Sequence, residues 1–240
     1  MAGHCIDISF LSDGLRLNGV LHHPMTHRPP VVVGSHGLES NGDSPKQIEL
    51  AQTLNDMGIA CFRFHHRGCG TSEGFFPDVT CLENRKKDLI QAVNTVLSRH
   101  DINGRYALFG SSIGGSTCIA AARELMADGY VLIAPPVYGN TLTKAPDRDG
   151  EDSALTVEFY ERLLGFDLSP EIPAMNNILI FHGDNDDVVP IENGRAVYRL
   201  AGEPKRLIIQ KNGDHRITAP EHQAEFIREA SQWFRDCFTR

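Results

Sequence analysis

Residues 107–122, ALFGSSIGGSTCIAAA, decide how this chain is read. Two motifs overlap in them. Gly110, Gly115, Ser116 and Thr117 approach the phosphate-binding pattern G-x-x-x-x-G-K-[ST]. Gly110, Ser112 and Gly114 complete G-x-S-x-G, the turn that raises a nucleophilic serine. The lysine of the first pattern supplies the charge that reaches the phosphates. Here Ser116 holds that position, and no Lys or Arg lies between Arg105 and Arg123. The second pattern has its physical requirements met. A serine on a sharp strand-to-helix turn crowds the residues two places either side, which must be small. The preceding YALF reads as a buried strand, and the following IGGSTCIAAARELM as a helix whose small residues permit close packing. Ser111 is the rival nucleophile, but its flanks at the same spacing are the bulky Phe109 and Ile113.

A serine needs a base and an acid to orient it, and the ends of later strands are where ligands bind in parallel sheets. After ILIF comes HGDNDDVVP, offering Asp184, Asp186 and Asp187; after RLIIQ comes KNGDHRI, offering His215. A solvated acidic turn or a calcium loop would also use such acids, but Val188 and Val189 fall where a calcium loop needs a ligand and glycine. The order along the chain is serine, acid, histidine.

Outward from these stretches, apolar runs alternate with helical patterns. Strands are expected at Ile6–Phe10, Leu15–Leu21, Val31–Val33, Ile59–Phe64, Tyr106–Phe109, Tyr130–Ile133, Ile178–Phe181 and Arg206–Ile209. The later ones are solid apolar blocks, as strands covered on both faces are. Ser44, Pro45 and Gln47 suggest a capping-box start to a helix reaching about Met57. Leu82, Leu89, Val93, Val96 and Leu97 give a second helix, 113 to about 127 a third, and Phe226, Ala230, Trp233 and Phe234 a last one. This order predicts an α/β fold: a doubly wound, mostly parallel sheet, with an antiparallel hairpin at its N-terminal edge where only Ser-Asp-Gly joins the first two strands. Residues 135–176 break the rhythm and are expected to form a small inserted cap within a single domain spanning 1–240.

The matching pieces VVVGSHGLESN, FRFHHRGCGTSEG, LFGSSIGG, LIFHGDNDDVVP and GDHRI resemble α/β-hydrolases of the serine-esterase and serine-aminopeptidase-like group. In layout the chain is similar to bacterial acyl and cinnamoyl (feruloyl) esterases with a small cap. The resemblance implies Ser112 as nucleophile, His215 as base and Asp186 as acid, through the family pattern H-G-x-x-D-x-x-V-P. It implies an oxyanion hole from the backbone N–H groups of Leu38 and Ile113. The FRFHHRGCGTSEG loop departs from the family's D-x-R-G-x-G-x-S by a histidine in place of the acid, leaving the contacts of Arg67 open.

Composition agrees with a globular enzyme and argues against several alternatives. The chain has 240 residues, 41% hydrophobic and 22% charged, with a formal charge of −8. Negative charge does not gather nucleic acid, so no nucleic-acid partner is expected. No apolar run approaches the roughly 20 residues of a membrane span, and MAGHCIDISFLSDGLRL lacks a secretory pattern. Cys5, Cys61, Cys69, Cys81, Cys118 and Cys237 form no C-x-x-C pair, and they read as reduced, mostly buried thiols. A cytoplasmic location is therefore expected. Eleven histidines do not show zinc spacing; His36, His65, His66 and His182 at strand ends read as hydrogen-bonded structural groups, and His22 and His23 as facing water. No metal or cofactor is expected. The expected activity is hydrolysis of carboxylic esters of small or aromatic acyl groups. Tyr138, Phe159, Tyr160 and Phe166 would either line the acyl pocket or form the cap's own core. A thioesterase, an aminopeptidase-like hydrolase and a silent hydrolase-fold binding protein remain alternatives.

Overall fold

The computed structural model describes residues 3–141, 159 and 163–239. Its spine is one eight-stranded sheet: β1 (His4–Ser12), β2 (Leu15–His23), β3 (Val31–Ser35), β4 (Ala60–Phe64), β5 (Tyr106–Ser111), β6 (Tyr130–Ile133), β7 (Ile178–Gly183) and β8 (Lys205–Gln210). The spatial order is β1-β2-β4-β3-β5-β6-β7-β8. The first two strands pair antiparallel, β2 pairs antiparallel with β4, and every later pairing is parallel. The hairpin turn is Asp13-Gly14, both at positive φ (48° and 84°), as a two-residue turn between twisted strands requires.

The solid apolar blocks are explained by two cores, one on each face of the sheet. Val31, Val33, Phe62, Leu108, Leu132 and Ile180 face α3 (Leu82–Leu97) and α4 (Ile113–Ala120). Their alternates Val32, Cys61, Phe109, Val131, Leu179 and Phe181 face α1 (Pro45–Asp56) and the C-terminal helix α7 (Pro220–Thr239). Smaller helices are α2 (Phe76–Val79), α5 (Ala122–Leu125) and α6 (Glu192–Leu200). Chain order reverses at β3, which lies between β4 and β5. That reversal opens a crevice at the carboxyl ends of β3 and β5, where ligands of such sheets sit.

Four local expectations are corrected. Ser44 makes no side-chain cap, and the capping box with Gln47 does not form. The Gln47 side chain is buried, with Oε1 against Gly34. The third helix is two, broken at Ala121 and closed by Met126 at φ 48°. Helix α6, tucked after the acidic turn, was not expected. His22 and His23 are buried, not wet: Arg63 Nε donates to His22 Nε2 (2.8 Å), and His23 lies 2.7 Å from the Pro24 carbonyl.

Part of the expected cap at 135–176 lies outside the described residues. Within the described part, Leu168 N–H donates to the Val137 carbonyl (2.9 Å) and Gly139 N–H to that of Phe166 (3.0 Å). Tyr138 and Phe166 pack against the main core, and the Phe159 ring lies 5.8 Å from that of Phe76. Tyr160 is outside the described residues. Among the described residues no helix is long and apolar enough to cross a membrane.

Candidate active site

The site begins with backbone geometry at Ser112. This residue joins β5 to α4 and holds φ 54° and ψ −127°, a conformation that costs a non-glycine residue about 1–3 kcal/mol. Its surroundings hold it there. Ser112 N–H donates to the Ile133 carbonyl (2.8 Å), and its own carbonyl accepts from Gly115 N–H (2.7 Å) and Ser116 N–H (3.2 Å). The two motif glycines are needed for contact. A Cβ on Gly110 would lie 2.6 Å from the Gly114 carbonyl oxygen, and one on Gly114 would lie 2.1 Å from that of Ser35. The elbow thus presses the first turn of α4 against the end of β3.

Two loops then converge on the serine. A Cβ on Gly183 would lie 2.0 Å from the Gly213 carbonyl oxygen, so the loops after β7 and β8 run in contact. Asn185 N–H donates to the Gly213 carbonyl (3.1 Å), and Asp184 accepts from Asn212 N–H (2.5 Å). The acid that reaches the imidazole is Asp186. His215 Nδ1–H donates to Asp186 Oδ2 (2.8 Å), and Ser112 Oγ–H donates to His215 Nε2 (2.9 Å). Because a carboxylate only accepts, the tautomer follows: Nδ1 carries the proton and Nε2 faces the hydroxyl. The other oxygen, Oδ1, accepts from Val188 N–H (2.9 Å) and Val189 N–H (2.8 Å). Burial alone would raise the Asp186 carboxyl, but the hydrogen bond and charge of His215, with those two N–H groups, hold it below the usual carboxylate range. Asp214 shapes its own loop, accepting from Arg216 N–H and Thr218 N–H.

The acid loop has two further supports, His182, expected as a hydrogen-bonded structural group, and Asn193, which the sequence did not announce. His182, fully buried, donates from Nε2 to the Val189 carbonyl (2.9 Å), with Asp186 Oδ2 3.5 Å away. Asn193 on α6 has every polar atom engaged. Its Oδ1 accepts from Val137 N–H (2.8 Å) and Tyr138 N–H (3.1 Å), and its Nδ2 donates to the Pro190 carbonyl (3.1 Å) and Thr141 Oγ1 (3.2 Å).

On the other side of the serine lies the turn His36-Gly37-Leu38. A Cβ on Gly37 would lie 3.7 Å from Ser112 Cβ, so this backbone runs alongside the hydroxyl. Among the described residues neither Leu38 N–H nor Ile113 N–H makes a hydrogen bond. The turn is fixed from behind. His66 N–H donates to His36 Nε2 (3.1 Å), which leaves the proton on Nδ1 to donate to the Gly37 carbonyl (2.7 Å). A trans peptide whose carbonyl is held this way points the following N–H, that of Leu38, in the opposite direction. His66 lies 2.9 Å from Ser35 Oγ and 3.4 Å from Asp88. Burial, then the charge of Arg85, pushes His66 down to about 3, and His36 is lowered well below its ordinary value for the same two reasons.

Asp88 settles the contacts of Arg67. It accepts from Arg67 Nε (2.9 Å), Nη2 (2.7 Å) and N–H (3.0 Å), so the acid missing from the β4 loop comes from α3. Neither Asp88 nor the buried Arg85 was expected, since charges three apart on a helix read as a solvated face. Their trace in the sequence is spacing: Arg85 falls between Leu82 and Leu89 on the apolar stripe of α3. Among the described residues no cluster of three or more His, Cys, Asp or Glu side chains is placed to hold a metal ion.

A profile of the family described as serine aminopeptidase, S33, matches residues 26–150. The uncharacterized protein YfhR of Escherichia coli (strain K12) is 29% identical over 225 residues, covering 90% of this chain and 75% of that protein. The mitochondrial palmitoyl-protein thioesterase ABHD10 of Homo sapiens is 23% identical over 225 residues, covering 84% and 72%. Among solved structures, Est1E from Butyrivibrio proteoclasticus with ferulic acid bound superposes at a TM-score of 0.84 and 20% identity, over 97% of this chain and 100% of that one. At such identity the likeness concerns the fold.

Proposed function

From the premise that this chain belongs to the serine aminopeptidase S33 family of α/β-hydrolases, we propose that it is a serine hydrolase of carboxylic esters with small or aromatic acyl groups. The observation that carries this reading is the hydrogen-bonded line from Ser112 through His215 to Asp186, mounted on a strained elbow. In this reading His215 Nε2 takes the Ser112 proton as Oγ bonds to the ester carbon. The carbonyl electron pair moves onto its oxygen, which the N–H groups of Leu38 and Ile113 receive. Such donors are worth about 10²–10³ each in rate. Collapse of that adduct expels the alkoxide, which takes the proton from His215. Water, deprotonated by the same imidazole, then releases the acid from the acyl-enzyme. Asp186 keeps the imidazole in the tautomer each step needs. Every step uses groups of the chain itself. The reading takes residues 1–240 as one domain, with 135–176 a small cap over the site, in the cytoplasm.

The aromatic acyl preference rests on likeness to the Est1E structure, which holds ferulic acid. A second reading, thioester hydrolysis, is favoured by the likeness to ABHD10, named a palmitoyl-protein thioesterase. Rates with aryl esters, acyl thioesters and aminoacyl amides of matched acyl group separate these. The first test of the site is a fluorophosphonate probe located by mass spectrometry. Ser112 is expected to be labelled. Ser112→Ala is expected to stay unlabelled and to lose p-nitrophenyl acetate hydrolysis by at least about 10³-fold with its fold intact. Normal turnover by Ser112→Ala would sink the reading.

A further inference from the structure

Arg85 sits in α3 with no solvent exposure. A guanidinium carries five N–H donors. Here Nη2 donates to the carbonyl of His36, while Nε and Nη1 are buried with no oxygen or nitrogen acceptor, and the further partner of the guanidinium is the thiol of Cys69. The acid one turn on, Asp88, is occupied by Arg67 and His66. The neighbouring thiols of Cys69 and Cys118 are weak acceptors, and burial raises both above their ordinary range, so they stay neutral. Burial pushes Arg85 itself down to about 10, which leaves it charged at neutral pH. A methionine or leucine would fill this place on the apolar stripe without the cost of burying a cation whose only nearby carboxylate, among the described residues, is bonded to other groups. A local rule broken at such cost points to a task.

The oxygen that Arg85 grips indicates what that task is. The His36 carbonyl stands at the end of β3, at the entrance to the Gly37–Leu38 turn. The same oxygen borders the first turn of α4, since a Cβ on Gly114 would lie 2.6 Å from it. The guanidinium therefore holds the peptide group just before the one that carries the Leu38 N–H, and the same oxygen borders the helix turn that begins at Ile113. We propose that Arg85 is a positioning residue for the oxyanion hole. It anchors the His36 carbonyl, fixes the turn that presents Leu38 N–H beside Ser112, and sets a desolvated positive charge behind the place where negative charge develops. This rests on the reading of Ser112 as nucleophile.

The test compares the wild type with Arg85→Met, Arg85→Gln and Arg85→Lys, with rates expressed per site titrated to completion by fluorophosphonate. A trifluoromethyl ketone serves as transition-state probe. Its carbonyl carbon bonds to Ser112 Oγ, the electron pair moves to oxygen, and His215 takes the proton. Arg85→Met is expected to lower kcat on p-nitrophenyl acetate about 10–100-fold, with KM changed less than twofold and ketone inhibition weakened by the same factor as kcat. Arg85→Lys, which keeps the charge, is expected to lose less than Arg85→Gln. Should Arg85→Met fail to fold, the ordering of the other two carries the test. A purely structural arginine would lower the melting temperature while leaving kcat per titrated site and ketone affinity at wild-type values, and that result overturns the proposal. A wild type that does not label at Ser112 overturns the hydrolase reading, and this inference with it.

Discussion

A methyl group on Gly114 would meet the carbonyl oxygens of both Ser35 and His36, at 2.1 and 2.6 Å. Backbone atoms cannot rotate away as a side chain can, so the helix or the strand must shift. Gly114→Ala is therefore expected to destabilise the protein by about 1–3 kcal/mol, read as a lower midpoint in urea. It should also slow hydrolysis, because the displaced parts are the elbow and the turn before Leu38. An alanine variant with unaltered midpoint and rate would contradict the packing described. At this scale the sequence was informative wherever a residue has a steric or chemical signature. Ser112 was marked by its flanking glycines; His215 bonds it, and Asp186, which only the family resemblance separated from Asp184 and Asp187, bonds His215. Arg85, Asp88 and Asn193 carried no such mark, because a charged or amide side chain looks the same on paper whether it is wet or buried.

Helix α3 is held to the β4 loop by one buried carboxylate. Asp88 receives three donors of Arg67 and faces His66, and these bonds hold its carboxyl well below the usual range although burial alone would raise it. Asp88→Asn leaves two buried guanidinium groups, Arg67 and Arg85, without that charge. A loss of about 3–5 kcal/mol is expected in urea unfolding, since removing one partner strands the other. A variant within about 0.5 kcal/mol of wild type would show the network to be dispensable. Element type was legible where periodicity was strong, and all eight strands lie where apolar blocks stand. Ends and short helices were less so. Gln47 completed a capping pattern, yet its side chain is buried with Oε1 lacking a hydrogen-bond partner. Helix α6 is a nine-residue element that begins directly after an acidic turn, so its apolar stripe had little length in which to register.

Burial of neutral histidines gives the whole molecule a direction of pH sensitivity. His22, lowered to about 4, His66, lowered to about 3, and His36, His65 and His182, all lowered, are depressed first by desolvation. An unfolded chain takes protons on these rings below about pH 6.5, while the folded chain does not. Their contribution is thus fully present above about 6.5 and is lost as pH falls toward 4 and then 3. Each proton taken up on unfolding steepens the loss by about 1.4 kcal/mol per pH unit. The melting temperature is expected to fall sharply between pH 6.5 and 4. A flat profile there would mean these rings are already charged in the fold. The doubly wound, mostly parallel sheet and its antiparallel edge hairpin followed from the alternation of strands and helices. The stretch at 135–176 did not yield to the same reasoning, because prolines, acids and scattered aromatics give it no single period. Asn193 joins that stretch to the chemistry. One amide hangs the chain leaving β6 and the loop bearing Asp186 on the same four hydrogen bonds, so neither can travel without tugging the other. A strain on the chain after β6 is therefore passed through one amide to the Pro190 carbonyl, and so to the turn whose N–H groups hold the Asp186 carboxylate behind His215.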